Sequence, residues 1–413
     1  MSPGPSASSL PVALEDLTAA RARIDARIVH TPCPRAPAFG DLTDGDLYFK
    51  FESLQRTGSF KDRGSLNRLL HLSEEEQARG VVTASAGNHA QAVAFHASRL
   101  GIPCTVVMPE VAPLIKIVNT RNYGAKVILH GVVLDDSAEK ARELVASEGR
   151  TMIHPFDDPL VIAGQGTMGL EIAEQVPDVD VVVVPVGGGG MISGIAIALK
   201  AHRPSVRVIG VEVEAAPSAR ASRDAGEIVK ITSSRTIADG IATKRVGDHT
   251  FPIIEALVDD LVVVSEEETA QAILMLLERQ KAVVEGAGAV GLAALTTCRV
   301  AVGAGEKAVL LLSGGNIDIN RVARIIDRGL VFDGRLVRLM VKVPDRPGSI
   351  AGLTQLVAKK GANVPGIVHR RAFADISVGE VEIVLHLETR GREHVEEIEE
   401  VLRGEGLKVR EEV

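Results

Sequence analysis

The chain has 413 residues, a length that suits two or three domains, and 46% of them are apolar, ample for large buried cores. Aromatic residues reach only 3%, Trp is absent, and the formal net charge is −8 with no basic block, which argues against nucleic acid as a partner. Cys33, Cys104 and Cys298 are far apart and form neither a metal-ligand spacing nor an even disulfide framework, so a reducing cytoplasm is the simplest setting.

Residues 1–12 are rich in Ser, Pro and Gly and lack both a basic region and an apolar run, so they read as a flexible tail and not a signal peptide. Helical spacing follows over 13–28, then a Pro-rich turn from His30-Thr31-Pro32. A strand over 47–52 leads into Gly58-Ser59-Phe60-Lys61-Asp62-Arg63-Gly64-Ser65, with a helix expected over 65–71. Ser73 and Glu76 fit a capping box. A short strand over 81–83 ends in Ser85-Ala86-Gly87-Asn88-His89 ahead of a helix over 90–100. Strands over 104–108 and 126–129 and a helix over 137–148 continue the alternation that implies parallel sheets. Gly164-Gln165-Gly166-Thr167 is expected to open a helix reaching about residue 175.

Residues 181–199 carry no charge, yet Pro185 and the run Gly187, Gly188, Gly189, Gly190 interrupt them. Four consecutive glycines would ruin a helix interior, so strand, loop and helix is the better reading than a membrane span. A strand over 207–213, a small-residue loop over 236–242, and a second capping box at Ser265 and Glu268 follow. A strand over 307–312 ends in Ser313-Gly314-Gly315-Asn316. Composition changes near Gly334, and from Arg335 the pattern is βαββαβ, with the second strand expected over 363–372, a ferredoxin-like layout long enough for a small domain.

Four segments carry chemistry. If Asp62 and Arg63 neutralise each other, Lys61 is left to face a less polar pocket, where desolvation would lower its basicity and make it a nucleophile able to form a Schiff base with a carbonyl cofactor. The four glycines after a buried strand offer backbone amides and a helix N-terminus to a phosphate, although neither the dinucleotide pattern nor the P-loop is met. Asn88 could reach a cofactor oxygen and Ser85 a substrate carboxylate, but these residue types serve equally well as a helix cap. Ser313 stands at a strand end, where ligands gather in open α/β sheets, and by itself is also an ordinary turn serine. His89 and His154 read as structural, and no metal cluster is evident.

Together, residues 59–64, 85–89, 164–167, 187–190, 236–242 and 313–316 resemble, in family order, the fold type II pyridoxal phosphate (PLP) enzymes and specifically the threonine dehydratases. The resemblance implies two open parallel-sheet subdomains over 13–333, the smaller about 54–150 and inserted in the larger. It implies Lys61 as the Schiff-base lysine, Phe60 beside the ring, Asn88 on the ring hydroxyl, the four glycines on the phosphate and Ser313 at the ring nitrogen. Ser85, Ala86, Gly87 and His89 would line the substrate site, and the implied reaction is β-elimination of L-threonine to 2-oxobutanoate and ammonia, with L-serine also accepted. The turn Val343-Pro344-Asp345-Arg346-Pro347-Gly348-Ser349 makes 335–413 similar to an ACT domain, which implies regulation by a small amino acid such as isoleucine or valine and a tetramer or dimer. Serine racemases share much of the pattern, but their second serine in the asparagine turn is Ala86 here, which cannot donate a proton; Glu212 matches their cation site while Ser218 replaces an acidic ligand. A serine dehydratase or racemase of the same fold, or a non-catalytic amino-acid sensor, stands as the alternative.

Overall fold

The computed structural model describes residues 10–232, 235–371, 377 and 379–412. Most of the expected tail and the last residue of the strand expected over 363–372 lie outside the described residues. The chain divides into two compact units, Met1–Ile317 and Asp318–Val413.

The first unit holds β1 (Asp46–Phe51), β2 (Val81–Ala84), β3 (Cys104–Met108), β4 (Lys126–Leu129), β5 (Thr151–Met152), β6 (Val181–Pro185), β7 (Arg207–Val213), β8 (Asp260–Val264) and β9 (Lys307–Leu312). They form two all-parallel sheets, a five-stranded one ordered β1-β9-β6-β7-β8 and a four-stranded one ordered β4-β3-β2-β5. Parallel strands joined by helical crossovers are covered on both faces, so they read as continuous apolar runs. Accordingly β6 is buried at every position, and Val182, Val184, Val309 and Leu311 share one core with Ile192, Ile195 and Leu199 of the helix Gly190–His202. The smaller sheet has its own core, including Val81, Val106, Val93 and Ala97.

Two expectations change. The helix expected from Ser65 begins at Lys61 and runs to Leu70. A bridge between Ser59 and Gly314, with Phe60 N donating to Ser313 O at 3.0 Å, fixes the chain just before that helix starts. Gly164 to Thr167 do not open a helix either; they lie inside Pro159–Gln175, which Asp158 caps by accepting from the amides of Leu160 and Val161. The glycines serve close helix crossing. A Cβ on Gly164 would stand 2.7 Å from Gly64 Cα, and one on Gly166 would stand 2.5 Å from Leu17 Cγ. The capping boxes at Ser73/Glu76 and Ser265/Glu268 both form.

The second unit starts with the helix Ile319–Phe332, a segment that the sequence groups with the larger domain. It continues as β10 (Leu336–Pro344), helix Ser349–Lys359, β11 (Asn363–Arg370), β12 (Glu380–Glu388), helix Arg392–Gly404 and β13 (Lys408–Glu411). The sheet is antiparallel with order β11-β12-β10-β13, the expected βαββαβ arrangement. Val337, Leu339, Val341 and Val343, every second residue of β10, pack with Leu353, Val357, Ile398 and Leu402 of the two helices flanked by strands.

Candidate active site

Asp62 and Arg63 do not neutralise each other. Arg63 is 1% exposed and grips two carboxylates, Glu52 at 2.8 Å and Glu171 at 2.6 Å, while Glu171 also receives Lys50 at 2.5 Å. Asp62 accepts from the amide and hydroxyl of Thr57 and faces His96. A helix that starts at Lys61 explains the split, because its successive side chains point in different directions around the axis. The effect on Lys61 is nonetheless the expected one: both neighbours are satisfied inside the protein, and Lys61 faces elsewhere.

Where it faces is a cavity of about 300 Å³ lined by every residue assigned a role from the sequence: Phe60, Lys61, Ser85, Ala86, Gly87, Asn88, His89, Gly187, Gly188, Gly189, Gly190 and Ser313. The segments that follow β2, β6 and β9 converge there, each at the carboxyl end of its strand, where ligands bind in open parallel sheets. Lys61 Nζ lies 4.9 Å from the Phe60 ring centroid and donates to Pro155 O at 2.7 Å. Burial pushes its pKa down to about 8, against an opposing pull from Glu285.

Gly189 caps the helix Gly190–His202 with φ of 94°, a conformation that glycine takes without strain. A Cβ on Gly188 would stand 2.3 Å from the Phe156 ring, so that stretch of backbone can lie against the ring only as glycine. Gly87 precedes the helix Asn88–Arg99, and its amide donates to Ser85 Oγ at 3.2 Å. His89 is tied down: Nε2 donates to Ile153 O at 3.0 Å and Ser65 Oγ is 3.4 Å from Nδ1, while burial and the charge of Lys61 push its pKa down to about 3. It is therefore a neutral wall residue. His154 Nδ1 accepts from the amide of Asp157 at 2.7 Å and so closes a turn.

Of the cavity residues that were not singled out from sequence, two bear most on its chemistry. Glu285 accepts from Asn88 Nδ2 at 2.7 Å, and burial together with Asp239 raises its pKa to about 7. It is the only charged residue between Lys281 and Arg299, and a lone charge in so apolar a run is a signal for a buried, partnered group. Thr243 also lines the cavity, and both its Oγ1 and Ser313 Oγ are buried without a hydrogen-bond partner among the described residues. Hydroxyls buried in that way are uncommon and call for a partner supplied from the cavity. The wall thus combines a desolvated amine, a glycine-built helix start and an unmatched hydroxyl, a set that fits an aldehyde cofactor bearing a phosphate and a ring nitrogen.

Comparison with known proteins agrees. A family described as "Pyridoxal-phosphate dependent enzyme" matches residues 24–314, well over half of the chain. The chain belongs to this family. Its cofactor is pyridoxal 5′-phosphate, and its C-terminal unit contains an ACT domain, matched over residues 337–404. An L-threonine ammonia-lyase of Thermotoga maritima is 50% identical over 97% of this chain and 99% of its own. A catabolic L-threonine dehydratase of Escherichia coli K12 is 47% identical over 76% of this chain and 96% of its own. Among solved structures, a threonine deaminase from T.th. superposes with a TM-score of 0.70 at 44% identity, covering 74% of this chain and 99% of that one. Maize serine racemase gives 0.73 at 36% identity, covering 78% and 98%.

Among the described residues, no group of three or more His, Cys, Asp and Glu is placed to hold a metal, and no helix is long and apolar enough to cross a membrane. Glu212, the one match to the racemase cation site, accepts instead from the amides of Ala219 and Arg220 at 2.7 and 2.8 Å, at the start of the helix Ser218–Ala225.

Proposed function

We propose that this protein deaminates L-threonine to 2-oxobutanoate and ammonia, also accepts L-serine, and is regulated by a small amino acid such as isoleucine or valine at its ACT domain. Residues 13–333 are the catalytic part and 335–413 the regulatory part, working in the cytoplasm as a homo-oligomer. The observation that carries the reading is Lys61, a desolvated amine at a helix start in a cavity that also gathers the four glycines and Ser313. The names of the relatives that span both units support the substrate.

Lys61 would be the point of attachment for the cofactor. The amides of Gly187, Gly188, Gly189 and Gly190 would hold the phosphate, Asn88 would meet the ring hydroxyl, and Ser313 would give the ring nitrogen a neutral partner. When bound, the cofactor supplies an electron sink for the negative charge that develops at the substrate's Cα. Ser85, Ala86, Gly87 and His89 surround the substrate carboxylate at the start of the helix Asn88–Arg99, whose free amides favour an anion. Lys61 would be the base that takes the Cα proton, and its lowered pKa puts it near the pH where it would act. Loss of the Cα proton and the Cβ hydroxyl together amounts to one water, and a water later returns when the released enamine hydrolyses to the oxo acid and ammonia.

Ala86 is the observation that weighs against racemisation. It lines the cavity with a methyl group, which cannot supply the proton that racemisation requires on the opposite face. Purified protein supplied with the cofactor should release 2-oxobutanoate from L-threonine, and Lys61→Ala should abolish both release and the visible absorption of the bound cofactor. Turnover of D-serine or L-serine with none of L-threonine would replace this reading with a serine-specific one. No turnover of any of them, with amino-acid binding at the C-terminal unit, would leave a sensor. Rates unchanged by isoleucine and valine would remove those effectors.

A further inference from the structure

The cavity contains a hydrogen-bond chain whose direction is set by a group that cannot turn. Asn316 Nδ2 donates to the backbone carbonyl of Thr57 at 2.7 Å, which can only accept, so the amino end of Asn316 must face that way. The same amino group lies 3.0 Å from Asn88 Oδ1 and donates to it, which orients the second amide. Asn88 Nδ2 is thereby turned to Glu285 Oε1 at 2.7 Å. Room for that carboxylate comes from Gly314, where a Cβ would stand 2.4 Å from Glu285 Oε1. Glu285 is 5% exposed, and its own amide is anchored to Gly314 O at 3.0 Å, so the acceptor has little freedom to move.

An amide held at both ends can present only one face. One Nδ2 hydrogen of Asn88 goes to Glu285, and the other remains for the cavity that Asn88 lines. We propose that Glu285 is a positioning residue that, with Asn316, pins the Asn88 amide so that it offers an N–H to the ring oxygen of the cofactor. An N–H donor stabilises the ionised form of that oxygen over the neutral hydroxyl, because only the former is a pure acceptor. The inference rests on the reading of Asn88 as a cofactor contact and deepens it. Glu285 acts through another residue and needs no contact with substrate.

The test uses full-length protein, stripped of cofactor and titrated with pyridoxal 5′-phosphate, with circular dichroism confirming that each variant folds. Glu285→Ala should raise the dissociation constant of the cofactor roughly tenfold and shift absorption from the visible band towards the near ultraviolet. Glu285→Gln keeps an acceptor oxygen in place and should restore both. In the Asn88→Ala background, Glu285→Ala should change neither affinity nor spectrum further, since its effect runs through that amide. A full additional loss in that background, or wild-type affinity and spectrum in Glu285→Ala, would overturn the proposal. If Asn88→Ala itself binds and absorbs like the wild type, Asn88 does not meet the cofactor, and the reading of the site fails together with this inference.

Discussion

Replacing Arg63 by Met should be among the most damaging single changes outside the cavity. The guanidinium shares two carboxylates, Glu52 and Glu171, and the remaining cation of the cluster, Lys50, is itself fully buried. Two cations and two anions balance in the wild type. The variant leaves one lysine between two carboxylates that have no access to water. Burial alone would push the Glu52 carboxyl up, but the charge and hydrogen bonds of Arg63, aided by Lys50 and Thr31, hold it below its ordinary value; that support disappears with Arg63. Breaking a buried pair from one side costs about 3–5 kcal/mol.

For a unit the size of Met1–Ile317, the entropy of unfolding is about 0.7 kcal/mol/K at about 2.1 cal/mol/K per residue, so melting should fall by about 4–7 °C. Calorimetry on the cofactor-free protein is the assay, because bound cofactor would add a linkage contribution. Lys140→Met, which removes an exposed pair with Glu143, is the control and should cost less than about 1 kcal/mol. Adding Glu52→Gln to Arg63→Met restores one cation against one anion and should recover part of the loss. Melting of Arg63→Met within about 1 °C of wild type, far inside the interval expected for a buried pair, would refute the balance argument. So would a double variant that falls by the sum of its two single changes.

The lowered pKa of Lys61 predicts that the cofactor-free protein reforms its visible band at a rate that rises with pH and levels off above about 8, because the neutral amine is the reactive form; a continued rise to about 10, the range of an ordinary lysine, would contradict desolvation. Gly188→Ala should weaken cofactor binding by at least roughly tenfold, since added carbon in a packed site forces the Phe156 ring or the loop to move; spectrophotometric titration with wild-type affinity would remove the loop from the phosphate site. Lys116 and Asp239 pair at 3.0 Å in the cavity wall, one from the helix Leu114–Asn122 and the other from the short turn Asp239–Ile241. Lys116→Ala should raise KM for L-threonine about two- to fivefold with kcat little changed, the range expected of a partly exposed pair; an unchanged KM, or a large fall in kcat, would show that the pair does something else.

Most of the apolar strands were legible, although β8 was not. β3, β4, β7 and β9 match their expected limits, and the ferredoxin-like order of the C-terminal unit follows from alternation that β10 keeps over nine residues. Several elements left no such trace. The helix Gly286–Thr296 is buried on nearly every side, so it has no polar face to announce it, and its three glycines work against the helix propensity of its alanines and leucines. The two-residue strand β5 is too short for any period to appear. Gly164 and Gly166 misled for a related reason: glycine near a helix reads as a boundary from sequence, whereas here its missing side chain lets the backbone of one helix approach another.

The site divides along the same line. Lys61, the four glycines and Ser313 were legible because each stands in a local pattern whose chemistry is carried by neighbouring residues. Glu285 was not, because its partner Asn88 is 197 residues away and only the folded chain brings them within 2.7 Å. The pairing of Arg63 was misread for the same cause. Asp62 is adjacent in sequence, but the guanidinium is reached by Glu52, from before the helix, and by Glu171, 108 residues further along the chain, from a crossing helix. Motifs therefore report which atoms can react, while the residues that hold those atoms in one orientation come from elsewhere in the chain. In this protein the two long-range carboxylates divide that work: Glu171 secures the helix that begins with Lys61, and Glu285 secures the amide of Asn88, which lines the same cavity.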